Sequence, residues 1–199
     1  MTLIIIIVTC AFSFLAFNKP EIMYKYQNNP YQVHHRKQYY RLVSYAFLHA
    51  NWMHLIVNMF VLYSFGGMVE AYYRYYFGSM GIVYFLFLYF GSIVFSTLLS
   101  QFRQRDNYYY NSVGASGAVS AVVFSSILFE PTNKLYVFAM VPVSAFIFGF
   151  LYLIYSFYMS KKNIDNIGHD AHYLGAVFGF LFPVLLKHDL IYIFLSKIF

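Results

Sequence analysis

Gly114-Ala115-Ser116-Gly117 opens an apolar segment that runs to residue 129. The 16 residues from 114 to 129 would form a helix of roughly 24 Å, at ~1.5 Å per residue, against a hydrocarbon core of ~30 Å. If the polar residues after 129 mark one membrane interface, Ser116 lies below the other. Irregular backbone at that depth is tolerated only beside protein or a water-filled cavity. The sequence therefore predicts a wet pocket around Ser116.

The composition of the chain is typical of a membrane protein. Of its 199 residues 61% are hydrophobic and 10% are charged, which is more apolar surface than a soluble domain of this length could bury. The 13 Lys and Arg exceed the 7 Asp and Glu, and in this class a net charge of +6 indicates headgroup contact. No basic run with interleaved aromatic residues suggests nucleic-acid binding. The single cysteine, Cys10, excludes an internal disulfide and any multi-cysteine metal site.

Six apolar segments predict an all-α polytopic membrane protein with one domain over residues 1–199. They lie at about 2–17, 51–69, 79–101, 114–129, 136–159 and 171–187. The first segment is expected to be a retained span, because no basic residue precedes it and no clear small-x-small cleavage site follows it. The tyrosine-rich connection 18–50 is expected to be an ordered loop in the headgroup zone. Short polar connections are expected at 103–111, 130–134 and 161–168.

The second predicted span carries two polar residues that share one helix face. His54 and Asn58 are four positions apart, so they lie one turn from each other. Polar groups within a span are costly and usually face the bundle interior or a cavity. The pair could join helices through a hydrogen bond worth about 0.6 kcal/mol, or it could belong to a site that includes the serine.

The last predicted span carries a face of small residues. Gly175 and Gly179 let a neighbouring helix approach closely, and His172 lies three residues before Gly175 on the same face. Gly114 and Gly117 would permit the same approach on the fourth span. We therefore expect these two helices to pack together and bring His172 to the serine, although such glycine patterns also occur where they only pack helices.

Together these segments contain the groups that a serine hydrolase needs. A serine hydroxyl is a poor nucleophile until a base removes its proton, and the resulting oxyanion needs donors placed in advance. His172 can act as the base, and His54 with Asn58 can donate hydrogen bonds. Asp170 precedes His172 by two positions and so points to another side of the helix. The sequence therefore favours a Ser-His dyad.

In this order, these residues resemble the motifs of rhomboid intramembrane serine proteases. The resemblance runs from about residue 38 to 182 and rests on Tyr40-Arg41, H-x4-H-x3-N from His49 to Asn58, Gly114-Ala115-Ser116-Gly117, and Ala171-His172 followed by Gly175 and Gly179. It implies a six-helix rhomboid-like transmembrane bundle. As a combined pattern it is far more specific than any one of its motifs.

The resemblance also implies roles for individual residues. Ser116 would be the nucleophile and His172 the general base, while His54, Asn58 and the Ser116 backbone N–H would stabilise the oxyanion. The substrates would be transmembrane proteins, cleaved within or beside the lipid bilayer where their helices unwind. The resemblance implies no cofactor and no metal. It suggests a multi-pass protein of the plasma or cell membrane, and the distribution of Lys and Arg leaves its orientation open.

The chain departs from the family pattern at two positions. It has Ser120 where the family often has an aromatic residue that packs against the catalytic histidine. Because Ser116 and Ser120 share a helix face, Ser120 could sit near His172 and hold a water or a hydrogen bond there. Tyr40 stands where the family usually has tryptophan, and its ring is expected to preserve the anchoring of the loop.

Two charged residues match supporting residues of the family. Arg41 follows Tyr40 in the first loop, and Glu70 follows the second span, where it could tie the structure together or simply lie among the headgroups.

Two other functions fit parts of the sequence. His49, His54, His169 and His172 could in principle bind a metal or haem, although no cluster of Asp, Glu or Cys accompanies them. The chain could also be a rhomboid-like binding protein without activity, although such proteins usually lack the nucleophile or the base. Within the protease hypothesis, His169 is the rival of His172 as the base.

Overall fold

Helices account for most of the chain in the computed structural model, which describes residues 1–137, 140–162 and 168–199. In chain order the α-helices of these residues are α1 (Thr2–Asn18), α2 (Pro20–Tyr26), α3 (Pro30–Arg36), α4 (Arg41–Ser44), α5 (Trp52–Phe77), α6 (Gly81–Ser96), α7 (Leu98–Arg103), α8 (Ser116–Phe129), α9 (Ala145–Lys162), α10 (His169–Leu186) and α11 (Asp189–Ile198). Two short strands, β1 (Lys134–Val137) and β2 (Val141–Ser144), pair antiparallel between α8 and α9.

Helix α8 lies at the centre of the bundle. Every residue from Gly117 to Phe129 is buried, and α5, α6 and α10 pack around it. A helix without a polar face is typical of a fully surrounded position, and the residues of α8 are apolar or small. One of its serines bonds within its own helix, where the Ser126 hydroxyl donates to the Val123 carbonyl at 2.6 Å. Ser116, the first residue of α8, is therefore fixed to the most enclosed element of the protein.

Two helical stretches of the described residues are long and apolar enough to cross a membrane by length and composition. One is the continuous run Trp52–Arg103, which comprises α5 to α7, and the other is α10. Helices α1 and α8 are apolar but shorter. The expectation of six spans in a polytopic arrangement stays a prediction.

The fifth apolar segment was expected to be helical from residue 136, and this expectation is wrong at its start. Strand β2 occupies Val141–Ser144, and helix α9 begins only at Ala145. Pro142 cannot occupy a helix interior without loss of a hydrogen bond, and the flanking valines favour an extended backbone. Residues 138–139 of this segment, and 163–167 of the connection expected at 161–168, lie outside the described residues.

The segment expected at 79–101 is divided into α6 and α7 near Thr97. The Thr97 hydroxyl donates to the Val94 carbonyl and the Ser100 hydroxyl to the Thr97 carbonyl, each at 2.8 Å. Such bonds to the preceding turn compete with the helix ladder and bend the chain. The second segment is longer than expected, since α5 continues to Phe77, and α10 begins at His169.

The amphipathic helix α11 was not foreseen by the sequence analysis. It buries Leu190 and Phe194, and the Phe194 ring packs against the ring of Phe180 with 5.1 Å between centroids. The Lys197 ammonium donates to the Phe129 carbonyl at 2.7 Å and to the Glu130 carboxylate at 2.8 Å. A cation at this position satisfies a carbonyl that the end of α8 would otherwise leave unpaired.

Candidate active site

Ser116 lies where an irregular segment turns into α8. Gly114 has a φ of +123°, a region that residues with a side chain rarely adopt, and its N–H donates to the Tyr45 carbonyl at 3.1 Å. Ala115 is buried, whereas Ser116 is only partly buried. The glycine therefore sets the direction in which the chain enters α8 and leaves the serine accessible at the head of the helix.

The His54 ring packs directly onto this turn. A Cβ atom built on Gly114 would lie 2.6 Å from His54 Cε1 and 2.9 Å from His54 Nε2, so only glycine fits at this position. Asn51 caps α5 by accepting the His54 N–H on its side-chain oxygen at 2.9 Å, which fixes the first turn of α5. The His54 imidazole therefore lies against Gly114, which precedes Ser116 by two residues.

Asn58 is buried one turn further along α5, and its side chain bonds within that helix. Its amide Nδ2 donates to the His54 carbonyl at 2.9 Å. The expected common face of His54 and Asn58 is therefore present, and the two residues are linked through the backbone of α5.

Helices α8 and α10 make the closest helix contact in this region. A Cβ atom on Gly175 would collide with the Gly117 backbone, and one on Gly179 would collide with the Ala121 backbone. The Ala171 carbonyl oxygen lies 3.3 Å from the position of a Gly117 Cβ. The residue after Ser116 thus contacts the residue before His172. The expected packing of these two helices is present, and it brings their N-terminal ends together.

Ser120 makes its hydrogen bond with another helix. Its hydroxyl lies 2.9 Å from the hydroxyl of Tyr152 on α9, and Tyr152 in turn packs against the Phe124 ring with 5.7 Å between centroids. From the spacing, Ser120 could also lie near His172, and that position stays a prediction. The partner that the structure shows is an aromatic residue of α9, which sequence spacing alone could not place beside α8.

His169 and His172 lie in the first turn of α10, and their rings are 5.9 Å apart in an edge-to-face arrangement. His169 is buried and also meets the Tyr155 ring at 5.6 Å, whereas His172 is only partly buried. His49 and His54 form a separate pair with 4.9 Å between centroids. Across residues 1–137, 140–162 and 168–199, no group of three His, Cys, Asp or Glu side chains is arranged to hold a metal ion.

Arg41 binds the backbone of the first loop. Only 4% of it is exposed, and its guanidinium donates to the carbonyls of Tyr24 and Gln27 at 2.9 and 2.8 Å. The Tyr40 hydroxyl donates to the Lys25 carbonyl at 3.2 Å. The loop between α1 and α5 is therefore ordered by bonds from side chains to its own backbone.

The same loop is hydrogen-bonded to the segment that precedes Ser116. The residues that make these bonds were not predicted from the sequence. Asn28 and Ser112 exchange backbone hydrogen bonds of 3.0 Å, and Gln101 donates to the Asn28 side chain at 2.8 Å. The Asn29 amide donates to Asn111 at 3.0 Å. Asparagines that hydrogen-bond across two loops leave no periodic signal in a sequence, so spacing could not reveal them.

An exposed contact extends this connection between the two loops. The Asp106 carboxylate lies 2.9 Å from His35 Nε2. Hydrogen bonds from His35 and Arg105 lower the pKa of Asp106 below its ordinary value.

Glu70 ties α5 to the beginning of α1. Its carboxylate accepts the Thr2 N–H at 3.0 Å and the Thr2 hydroxyl at 3.1 Å, and the Met1 amino group lies 2.7 Å away. Arg74, one turn later, lies 3.4 Å from the same carboxylate. Of the two readings of Glu70 left open above, the structure shows the one that ties two elements together.

The sequence matches the model of the Rhomboid domain family over residues 36–188. The chain belongs to the rhomboid family. It is also 31% identical over 173 residues to "Rhomboid-like protein 11, chloroplastic" of Arabidopsis thaliana, an alignment that covers 79% of this chain and 56% of that protein. The chain thus spans little more than half the length of this relative. Membership in the rhomboid family and the two apolar helical stretches identify the chain as a membrane protein.

The match contains Ser116, His172 and the residues of α5 that pack onto the Gly114 turn. Helix α1 lies outside it, although Thr2 binds Glu70 and Ser13 binds His49. In this rhomboid, residues outside the matched region therefore contact residues within it.

Proposed function

We propose that this rhomboid is an intramembrane serine endopeptidase that hydrolyses peptide bonds in or near the transmembrane segments of membrane proteins. The observation that carries the proposal is the convergence of three elements at Ser116. The glycine contact between α8 and α10 brings the Ser116 and His172 ends together, and the His54 ring packs on Gly114. A nucleophile, a base and a hydrogen-bond donor are the minimum for acyl transfer.

The reaction begins when the Ser116 oxygen attacks the scissile carbonyl and His172 takes the hydroxyl proton. The oxyanion that forms is stabilised by the Ser116 backbone N–H, His54 and Asn58. His172 then gives its proton to the leaving amine, and an ester between substrate and Ser116 remains. Water attacks this ester, with His172 again as the base, and releases the second product. Catalytic hydrogen bonds often tighten only once the substrate is bound.

Transmembrane proteins are the proposed substrates, because the serine lies at the head of a helix enclosed by the bundle. An intact substrate helix protects its own carbonyls, so cleavage requires a segment that unwinds at the mouth of the site. The reaction needs neither a metal nor a cofactor in this scheme. His172 rather than His169 is the proposed base, since His169 is buried against Tyr155.

The proposed location is the cell membrane. The Arabidopsis relative is chloroplastic by its name. Membrane fractionation, with detection of the native chain in each fraction, tests the location directly, and enrichment in an internal membrane would overturn it.

The function is tested by comparing the wild type with Ser116→Ala and His172→Ala in proteoliposomes that contain a single-span substrate. Wild type should cleave the substrate and be labelled by a fluorophosphonate, while both variants should lose at least about 10³-fold in rate, as expected when a dyad member is removed. Folded wild type that neither cleaves nor reacts would make the chain a rhomboid-like binding protein. Cleavage that survives Ser116→Ala but stops with a chelator would indicate a metalloenzyme.

A further inference from the structure

His49 and Ser13 form a polar pair in the interior, beside the His54 ring. Both side chains are fully buried, and Ser13 belongs to α1 whereas His49 lies just before α5. The Ser13 hydroxyl is 2.9 Å from His49 Nδ1 and 2.9 Å from the Phe47 carbonyl oxygen. The candidate active site described above uses neither residue.

The two contacts of Ser13 determine where the His49 proton lies. A carbonyl oxygen can only accept, so the single hydroxyl hydrogen of Ser13 goes to Phe47. Ser13 must then accept the second hydrogen bond, and His49 Nδ1 must be its donor. Neutral His49 therefore carries its proton on Nδ1, and its Nε2 is unprotonated. Within the described part of the chain, Nε2 is buried without a hydrogen-bond partner.

The His54 ring contacts both His49 and the Gly114 turn. Its centroid is 4.9 Å from that of His49, with 74° between the ring planes, and its Cε1 and Nε2 atoms lie against Gly114. An oxyanion donor must be held within roughly 0.5 Å and 10–20° of its working geometry by neighbours that are themselves fixed. The His49 ring packs against the His54 ring and so limits its movement. Among the described residues, Ser13 is the only hydrogen-bond partner of the His49 ring.

We propose that Ser13 and His49 are positioning residues for His54, so that α1 takes part in forming the oxyanion site. This inference rests on the proposed function, because it assigns a task to His54 as a donor. Loss of the Ser13 hydroxyl frees the His49 ring to rotate and exchange its tautomer, and the His54 ring loses its fixed neighbour. The chemistry of Ser116 and His172 is untouched.

The test compares Ser13→Ala with Thr9→Val. Thr9 is fully buried one turn earlier on the same face of α1, and valine keeps its shape. Complete loss of one oxyanion donor lowers kcat by ~10²–10³, so a displaced donor should lower kcat about ten-fold with KM within about two-fold. Thr9→Val should leave both parameters within about two-fold of the wild type. His49→Phe, which keeps a flat ring without Nδ1–H, should lower kcat as Ser13→Ala does.

Nitrogen-15 NMR of the histidine rings gives a readout that does not depend on activity. His49 should carry its proton on Nδ1 in the wild type and in Ser116→Ala, and should exchange to the Nε2 form in Ser13→Ala. A wild-type proton on Nε2, or equal kcat in folded Ser13→Ala and Thr9→Val, would overturn the inference. If the wild type shows no cleavage that depends on Ser116, the proposed function fails, whereas the tautomer measurement still decides how His49 is held.

Discussion

Helices α8 and α9 are neighbours in the sequence with opposite surroundings. Helix α8 is buried along its whole length after Ser116, whereas only Ala145, Gly149 and Ser156 are buried on α9. Both are rich in apolar residues, so composition does not distinguish them. What differs is the number of protein neighbours, because α5, α6 and α10 surround α8 while α9 packs along one edge.

This difference explains how a polar site can be built from an apolar chain. An enclosed helix can hold a hydroxyl at a fixed depth because its neighbours replace the lipid on every side, whereas a helix packed on one edge can only form a side wall. Ser116 is on the enclosed helix, α8, and Tyr152 is on α9, which packs along one edge.

Loss of the α8–α10 contact should have the largest effect. Gly175→Val places a branched Cβ atom where the Gly117 backbone lies, and neither backbone can shift without separating the helices. We expect destabilisation above about 5 kcal/mol, which is exceptional for one substitution and leaves no folded protein. The control is Gly67→Val, since no atom of the described residues lies within 4 Å of the Cβ position of Gly67 on α5. Unfolding in detergent measures both, and a folded, stable Gly175→Val would refute the close contact.

The same leucine truncation on the two helices should give different results. Leu128 on α8 is 1% exposed and Leu151 on α9 is 57% exposed. Leu128→Ala leaves a cavity and should lower the free energy of unfolding by about 2–5 kcal/mol. Leu151→Ala should change the free energy of unfolding by less than about 0.5 kcal/mol, because the acyl chains of lipid or detergent fill the space of the lost atoms. Equal losses at the two positions would mean that α9 is as enclosed as α8.

Sequence reasoning was strongest where a pattern records a contact between backbones. The spacing of Gly175 and Gly179, set against Gly117, predicted the contact between α8 and α10, because only glycine lets two backbones approach so closely. The rhomboid family was likewise evident from the order of the motifs and is confirmed by the match.

Sequence reasoning failed where a contact joins residues far apart without a period. The partner of Ser120 is 32 residues away, and Ser13 and His49 are separated by 36. Strand β2 was mistaken for part of a helix, because a short apolar run is compatible with either a strand or a buried helix. Only Pro142 argues against a helix there. Helix α11 was missed because its ten residues are too short to resemble a span.

A substitution in the turn that begins α8 should lower the activity more than the stability of the protein. Gly114→Ala forces a methyl group against the His54 ring and strains a φ of +123°, so the oxyanion donor moves. We expect kcat to fall about 100-fold, near the value for loss of one such donor. Gly78→Ala is the control, because Gly78 also has a positive φ of +57°, but no atom of the described residues lies within 4 Å of its Cβ position. If both variants lose activity equally, backbone strain alone is responsible and His54 is not.

The smallest effect should come from the bond that joins α8 to α9. Ser120→Ala and Tyr152→Phe each remove one hydroxyl of a pair 2.9 Å apart, and a double-mutant cycle isolates their coupling. Interhelical hydrogen bonds in membrane proteins average about 0.6 kcal/mol, and we expect a coupling of that size. Ser126→Ala is the control. Among the described residues the Ser126 hydroxyl bonds within α8, so it should show no coupling to Tyr152. Additive effects of Ser120→Ala and Tyr152→Phe would show that packing alone joins α9 to α8, for example where Gly149 lies against Ile127 and the Tyr152 ring lies against Phe124.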